Sequence, residues 1–495
     1  MADVVDGNRK VASAFLWSFA QSWGNRILIF LLFLILARLI SPAELGLAST
    51  VALILLILSQ IAEFGYGQAL VQRRELGPHD VDLPFFTAIG LSIVAAAALI
   101  LFRGKIEAAA ELPGLAALLP AAAVSLPIAT ASAIQEALYK REFDYRTLAL
   151  RMLVATALSG VVGVGAALAG YGALSLVLQT LALYVVSAVW LWRRPKWTPT
   201  FHGDLASWRQ LTGFSAHVLG SRMLEFATTR IIDVLVLTLH GIVALGLYTV
   251  GARLYQTLMQ LLTTALGDVS LSALSRMTDD REGLLSAYLK SITVSATIAT
   301  PAFVAMSVMS SEITVALFGP KWAAAASVMW PLMLLGAVQT IQFANGAYFV
   351  ALGRPSYTLY LNVLKLAALA PAMLLIPTRG IEDLTIVFVL GQLTITPLTF
   401  WLVVRLLGAR WADVGAHAWS ALLSLVAAGA VLLIKTQTTV EAEHGVWAAL
   451  ILYGGLYALV YVGLVWLFAR RHCRLIGDLL LGAFRSRAPK RLTSV

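Results

Sequence analysis

Charged and amide side chains lie inside the apolar stretches of this sequence, where they could perform chemistry within a membrane. The stretch QSWGNRILIFLLFLILAR places Asn25 and Arg26 directly before an uninterrupted apolar run. An arginine near the centre of a membrane-spanning helix costs roughly 2.5–3.5 kcal/mol on insertion scales, so it is rarely found there without a partner or a function. Because a guanidinium stays charged and binds phosphate oxygens bidentately, Arg26 could hold an anionic ligand.

Comparable polar stripes recur at helical spacing elsewhere in the chain. Gln60 and Glu63 share one face of a helix predicted at 45–71. Two longer stripes each fit within about 80° of a helix surface at 100° per residue. These stripes are Arg222, Glu225, Thr229 and Asp233, with Arg230 beside them, and Thr249, Arg253, Gln256, Gln260 and Thr263. Lys365 adds a cation to another predicted helix, and Gln342 and Asn345 mark a further one.

A purely structural interpretation of these charges stays open. Arg222 with Glu225, and Arg230 with Asp233, are i, i+3 pairs that could neutralise each other on one helix. For these four residues, structure and transport are equally acceptable explanations.

The remaining intramembrane cations allow the same two interpretations. Arg26, Arg253 and Lys365 have no opposite charge within four residues on their own helices. They could pair across helices with Glu63 or Asp268 in a static network, or they could line a water-filled cavity.

The distribution of the stripes favours a cavity that accepts an anionic substrate. They fall on the first helix pair of each half of the chain, and packed interiors do not require so many polar residues at corresponding positions. The predicted cavity residues are Asn25, Arg26, Gln60, Arg222, Arg230, Arg253, Gln256, Gln260 and Lys365. The predicted counter-ions, or proton or sodium carriers, are Glu63, Glu225, Asp233 and Asp268.

The composition identifies an all-helical integral membrane protein. Of the 495 residues, 59% are hydrophobic and 13% are charged, whereas about 25% are charged in an average soluble chain. Apolar windows of roughly 20 residues are long enough to cross a bilayer as helices. Fourteen spans are predicted, near 13–37, 45–71, 84–102, 112–138, 147–168, 171–192, 211–238, 244–272, 285–309, 323–350, 357–377, 383–404, 413–434 and 446–468.

The charged loops predict both the topology and the division into lobes. Most of the 36 Lys and Arg residues fall on one side of the predicted membrane, so the positive-inside rule places both termini in the cytoplasm. The longest connection lies mid-chain and indicates two lobes. The predicted parts are an N-terminal lobe at 1–192, a linker at 193–210, a C-terminal lobe at 211–406, a two-helix appendage at 407–469 and a basic tail at 470–495.

An internal repeat supports two pseudo-symmetric six-helix lobes. A shift of 200 residues lays ELGLASTVALILLILSQI, at 44–61, over ALGLYTVGARLYQTLMQL, at 244–261. Leu45, Gly46 and Leu47 meet Leu245, Gly246 and Leu247 in this alignment. Internal repeats of this kind are typical of transporters.

Motifs for ATP hydrolysis, metal binding and acyl transfer are not found. The sequence contains no Walker A motif, no HExxH and no GxSxG, and its single cysteine, Cys473, excludes an internal disulfide. The chain is therefore predicted to be a transporter without a cofactor, coupled at most to protons or sodium, rather than an enzyme.

Two stretches, LARLISPAELGLASTVALILLILSQIAEFGYGQALVQRREL and RIIDVLVLTLHGIVALGLYTVGARLYQ, carry a family resemblance. The first resembles the first two helices of Wzx-type polysaccharide flippases, which belong to the multidrug/oligosaccharidyl-lipid/polysaccharide exporter superfamily. The second resembles the Arg-x-x-Asp segment of that family, followed by Ala-Leu-Gly-x-Tyr. ALSRMTDDREGLLSAYLKS, FGPKWAAAASVMWPLMLLG and ALGRPSYTLYLNVLKL also match the family pattern. The similarity covers roughly residues 10–410.

This resemblance implies a fold, a substrate and a location. The fold would have fourteen helices in two lobes like those of the multidrug exporters, with alternating access through a central cavity. The substrate would be an undecaprenyl-diphosphate-linked sugar repeat unit, moved across the bacterial inner membrane for exopolysaccharide, capsule or O-antigen synthesis. A polysaccharide polymerase or copolymerase would be a partner, and nucleic acid would not.

Three other functions stay open at this point. A multidrug or small-molecule exporter of the same superfamily would usually have twelve spans and an acidic cavity. A polysaccharide polymerase or ligase would use the same lipid carrier but would need a large outward loop with catalytic residues. A structural partner of an export complex would not need charged stripes inside the membrane.

Overall fold

The computed structural model describes residues 23–73, 75–77, 79–274, 280–343, 345–354, 356–438 and 444–477, with side chains omitted at 263–274. Within these residues the regular structure is entirely helical. Among the described residues, twelve helices are long and apolar enough to cross a membrane. This finding confirms the predicted class, a multi-pass all-helical membrane protein, while the count of fourteen spans stays a prediction.

The chain forms two compact units, Met1–Val250 and Gly251–Val495. Helices of the first unit are α1 at 23–39, α2 Pro42–Glu63, α3 Tyr66–Gln72, α4 Asp82–Leu101, α5 Arg103–Ala110, α6 Leu115–Arg141, α7 Tyr145–Leu168 and α8 Ala173–Trp192. The long helix α9, Leu205–Leu274, contains the division between the units. The lobe and linker boundaries predicted above remain predictions.

The second unit contains shorter and more often interrupted helices. They are α10 Arg281–Val294, α11 Thr300–Val308, α12 Ser310–Phe318, α13 Ala326–Gln342, α14 Asn345–Ala351, α15 Ser356–Leu375, α16 Ile381–Leu393, α17 Thr396–Leu407, α18 Trp411–Gln437, α19 Val446–Phe468 and α20 at 470–477. A π-helical turn, Ser295–Ala299, joins α10 to α11, and a 3₁₀ turn, Pro320–Ala325, precedes α13. Helices α18 and α19 pack on α11 and α13 in an apolar cluster of this unit.

Local chemistry explains where α2 begins and ends. Ser41 and Glu44 form a reciprocal capping box at its start, with Pro42 in the first turn. The helix ends where Phe64 and Gly65 both have positive φ, 49° and 76°. The chain then restarts as α3, so the span predicted at 45–71 is interrupted near its end.

Gly241 breaks α9 into two halves. Its φ of 81° and ψ of −174° lie in a region that is essentially restricted to glycine. The halves at 205–240 and 242–274 correspond to the predicted seventh and eighth spans. Because of this break, the second half of α9 packs against α2, which the first half also contacts.

The two repeat-equivalent glycines meet within the first unit. A Cβ built on Gly46 would lie 1.9 Å from the carbonyl oxygen of Ile242, and one on Gly246 would lie 1.9 Å from that of Pro42. Ile242 is four residues before Gly246, and Pro42 is four residues before Gly46. One turn further on, the hydroxyls of Ser49 and Thr249, also 200 residues apart, are 3.2 Å from each other. The helices therefore cross in parallel around a local pseudo-two-fold axis, with glycine allowing backbone contact.

We predict that Gly46→Ala and Gly246→Ala each destabilise the protein. A methyl group at either position must separate two backbones, and overpacking of this kind costs about 1–3 kcal/mol. Thermal unfolding of the detergent-solubilised protein measures the effect.

Gly90→Ala in α4 is the matched control, because a Cβ at Gly90 meets no atom within 4 Å. It should leave stability unchanged or raise it by up to about 1 kcal/mol through helix propensity. Equal midpoints for Gly46→Ala and Gly90→Ala would contradict the close crossing.

Candidate functional site

The first half of α9 runs antiparallel to α3 and α2. Near its start, Ser207 accepts a hydrogen bond of 2.6 Å from the Arg73 guanidinium. Thr212 lies 3.0 Å from the Tyr66 hydroxyl. A Cβ on Gly65 would meet the carbonyl oxygen of α9 residue 215 at 2.8 Å, so glycine permits close packing there. The next turns of α9 consequently lie beside the last turn of α2.

This packing places Arg222 against two of the predicted α2 residues. Its Nη1 donates to Gln60 Oε1 at 3.1 Å and lies 3.9 Å from Glu63 Oε2. Both charged side chains are about 30% exposed. The hydrogen bond and the ion pair described for Arg222 both use Nη1, so Nη2 and Nε keep donors for a further acceptor. Arg222 therefore pairs across helices, whereas the structural interpretation paired it with Glu225, whose residue is exposed on α9.

A second charged cluster on α6 and α7 extends the site. Glu136 receives Lys140 Nζ at 2.7 Å on one oxygen and Arg151 Nη1 at 2.7 Å on the other. Arg151 is only 5% exposed. Glu63 interacts electrostatically with both Glu136 and Lys140. The combined set has three cations and two carboxylates, so one positive charge is in excess.

Sequence reasoning misses the α6 and α7 members of this set. In the sequence, Lys140 and Arg151 have only the pattern of loop charges that determine topology. The available signal is the i, i+4 spacing of Glu136 and Lys140 at the end of an apolar helix.

Other predicted residues of the first unit have partners that explain them structurally. Asn25 is 7% exposed and accepts a 2.6 Å hydrogen bond from Thr156 on α7. Asp233 is similarly buried and receives Arg230 Nη1 at 3.1 Å, which is the pairing that the structural interpretation of the i, i+3 spacing offered. Arg26 is partly buried on α1.

The remaining predicted residues lie in the second unit. Arg253 and Gln256 are partly buried and Gln260 is exposed on the second half of α9, while the side chain of Asp268 lies outside the described residues. Lys365, on α15, lines a separate pocket of about 370 Å³. The structure thus brings Gln60, Glu63 and Arg222 together in the first unit, while Lys365 belongs to a pocket of the second.

The connection between α8 and α9 is held by hydrogen bonds to α6. Gln135 donates to the Trp197 carbonyl at 2.7 Å and accepts from the Lys196 amide at 3.1 Å. Lys196 also forms a 2.6 Å ion pair with Glu142, and the hydrogen bond to this carboxylate raises the pKa of Lys196. Lys196 therefore keeps its positive charge at neutral pH.

Fold and sequence together define the class as a helical multi-pass membrane protein. Residues 35–327 match the polysaccharide biosynthesis protein family, which is more than half of the chain. The chain belongs to this family.

Individual relatives and a solved structure agree with the family. The chain is 25% identical to the succinoglycan biosynthesis transport protein ExoT of Rhizobium meliloti over 322 residues, covering 65% of this chain and 64% of that protein. It is 22% identical to the lipopolysaccharide biosynthesis protein WzxC of Escherichia coli over 385 residues, 75% of this chain and 76% of WzxC. The fold is similar to that of the lipid II flippase MurJ in an inward closed conformation, with a TM-score of 0.70, 14% identity, and coverage of 92% of this chain and 99% of MurJ.

We predict that Glu136→Gln strongly destabilises the first unit. The substitution leaves the buried Arg151 guanidinium without its carboxylate, and breaking a buried ion pair in this way costs about 3–5 kcal/mol. Unfolding midpoints of the solubilised protein measure this loss.

Glu142→Gln provides the control, because its 53% exposed side chain pairs with Lys196 near the surface. Surface pairs contribute at most about 1 kcal/mol. If both variants unfold at the same temperature, the Glu136 cluster is not a buried network.

Proposed function

We propose that this chain is a flippase that moves undecaprenyl-diphosphate-linked oligosaccharide repeat units across the bacterial inner membrane for polysaccharide assembly. The family match over residues 35–327 carries the proposal, because it includes α2 and the whole of α9 with the Arg222 site. The relatives are named for succinoglycan and lipopolysaccharide biosynthesis. The similarity to a lipid II flippase supports the fold required.

The Arg222 site would bind the diphosphate. The two guanidinium nitrogens not used by Gln60 or Glu63 match the spacing of two phosphate oxygens. Glu63 lies at 3.9 Å, too far for a hydrogen bond, so a diphosphate with two charges competes effectively for Arg222. The excess positive charge of the surrounding set favours the anion further.

Glu63 would then act as the exchangeable counter-ion. When diphosphate takes Arg222, the Glu63 carboxylate loses its nearest cation and can accept a proton or sodium ion. Release of the substrate restores the ion pair. This exchange would couple transport to an ion gradient, with Asp233, Glu225 and Asp268 as further candidate carriers.

Other parts of the proposal rest on the sequence. Arg26, Arg230 and Arg253 are further candidate contacts for phosphate, and a cavity between lobes stays a prediction. The charge bias of the loops places both termini in the cytoplasm. The protein would supply lipid-linked units to a polymerase or copolymerase and catalyse no covalent step.

We predict that Arg222→Gln lowers translocation of a labelled polyprenyl-diphosphate oligosaccharide in proteoliposomes by about 10- to 100-fold. A hydrogen bond to a charged group contributes about 1.5–3 kcal/mol, and the glutamine removes both charge and fork geometry. Arg222→Lys should recover part of the rate because it keeps the charge.

Arg410→Gln is the control, since this arginine is 82% exposed and pairs with Asp413. It should translocate at the wild-type rate. Equal rates for Arg222→Gln and wild type would remove Arg222 from the mechanism. A wild-type protein that exports a small cation but moves no lipid-linked glycan would be a multidrug exporter instead.

A further inference from the structure

The second unit contains a polar pocket of about 370 Å³. This volume lies within the range of about 300–1,000 Å³ that is typical of small-molecule sites. The pocket is formed by α13, α14, α15, α16, α17 and the second half of α9. Its polar lining is Gln339, Gln342, Asn345, Thr358, Asn362, Lys365, Gln392, Thr396 and Thr399.

One junction between helices lies at the pocket. Helix α16 ends at Leu393 and α17 begins at Thr396, and Gln392, Ile395 and Thr396 line the pocket beside this junction. Interrupted helices frequently mark substrate sites in transporters.

Neighbouring tyrosines orient two of the pocket amides. The Tyr288 hydroxyl donates to Asn345 Oδ1 at 3.0 Å, and the Tyr255 hydroxyl donates to Gln339 Oε1 at 2.6 Å. Both amide oxygens are therefore occupied, and both NH₂ groups are donors. Asn345 is 1% exposed, and its Nδ2 has no partner among the described atoms. A buried donor without a partner costs about 1–3 kcal/mol, so a bound acceptor would stabilise this arrangement.

Lys365 is the only charged residue in the described lining of the pocket. Every other polar group there is an amide or a hydroxyl. No described carboxylate lies within 4 Å of Lys365, in contrast to Lys435, whose Nζ is 2.8 Å from the buried Glu312. An ammonium group inside a membrane protein is stabilised by pairing with an anion. The lysine repels metal cations.

We propose that this pocket binds a carboxylate-bearing sugar residue of the transported glycan, with Lys365 paired to the carboxylate. Amides and threonine hydroxyls hydrogen-bond the sugar hydroxyls, as donors and as acceptors. The inference deepens the proposed function, on which it rests, by assigning acidic oligosaccharides as the substrate class. Lys365 then binds the sugar carboxylate in the second unit, whereas the Arg222 site belongs to the first unit.

The test is a binding measurement on the full-length protein in phosphatidylcholine nanodiscs. The probes are a soluble tetrasaccharide ending in glucuronate and its counterpart ending in glucose. Wild type should bind the glucuronate probe about tenfold more tightly, which corresponds to 1.4 kcal/mol. Lys365→Gln should abolish this preference, and Lys365→Arg should keep most of it.

Two further variants separate recognition from folding. Gln392→Ala should weaken the binding of both probes equally, because it removes hydrogen bonds to sugar hydroxyls and leaves the charge of Lys365 in place. Lys105→Gln, an exposed lysine on α5, should change neither affinity. Equal affinity of wild type for the two probes, or an unchanged preference in Lys365→Gln, would overturn the proposal.

A lipid headgroup is the competing anion, and nanodiscs with phosphatidylglycerol test it. Phosphatidylglycerol would overturn the sugar assignment if it displaced the glucuronate probe from the wild-type protein. In that case wild type, but not Lys365→Gln, should retain bound phosphatidylglycerol. Equal translocation rates for lipid-linked glycans with and without a carboxylate would refute this inference while leaving the flippase function intact. Acid-selective binding without any translocation would support the pocket and refute the flippase function.

Discussion

The contact between Gly46 and Gly246 is the constraint on which the first unit depends. Gly46 packs against the backbone carbonyl of Ile242, and Gly246 packs against that of Pro42, at a distance that a side chain would forbid. This contact sets the separation of α2 from the second half of α9. Because Gly241 breaks α9 just before the crossing, the first half of α9 contacts α2 as well. Gly46, Ser49 and Gln60 lie within about 60° of one another on α2 at 100° per residue, so both halves of α9 contact one face of this helix.

The charged site follows from that arrangement. With the first half of α9 antiparallel to α2 and α3, residue 222 reaches the last turn of α2, where Gln60 and Glu63 face it. The pairing satisfies one nitrogen of Arg222 and leaves the others for a ligand. Arg151, by contrast, is buried on Glu136 and serves stability. A membrane protein can thus hold several arginines, of which the buried ones serve stability and the partly exposed ones are suited to substrate.

The fold was largely predictable from the sequence where glycine or proline marks a boundary. The break at Gly170–Gly172 and the break at Gly241 fall between predicted spans because these residues tolerate backbone that other residues avoid. The interruption at Phe64 was not predictable, since phenylalanine carries no signal for positive φ.

The site was predictable only in part. Helical periodicity correctly grouped Gln60 with Glu63, but the local i, i+3 rule offered only Glu225 as a partner of Arg222. Tertiary packing of α9 on α2 decides that pairing, and periodicity within one helix carries no information about it. For the same reason Asn362 and Gln392, isolated in apolar stretches, gave no indication that they share a pocket with Lys365.

The most direct measurement of the glycine crossing is disulfide formation in native membranes. In a Cys473→Ser background, Ser49→Cys with Thr249→Cys should form a disulfide rapidly on mild oxidation, because the native hydroxyls lie 3.2 Å apart. Mass spectrometry of the linked peptides detects it. Ser49→Cys with Val243→Cys is the control pair, since Val243 is exposed on α9, and it should not link. A folded 49/249 pair that stays reduced, or equal linking of both pairs, would contradict the crossing and the site built on it.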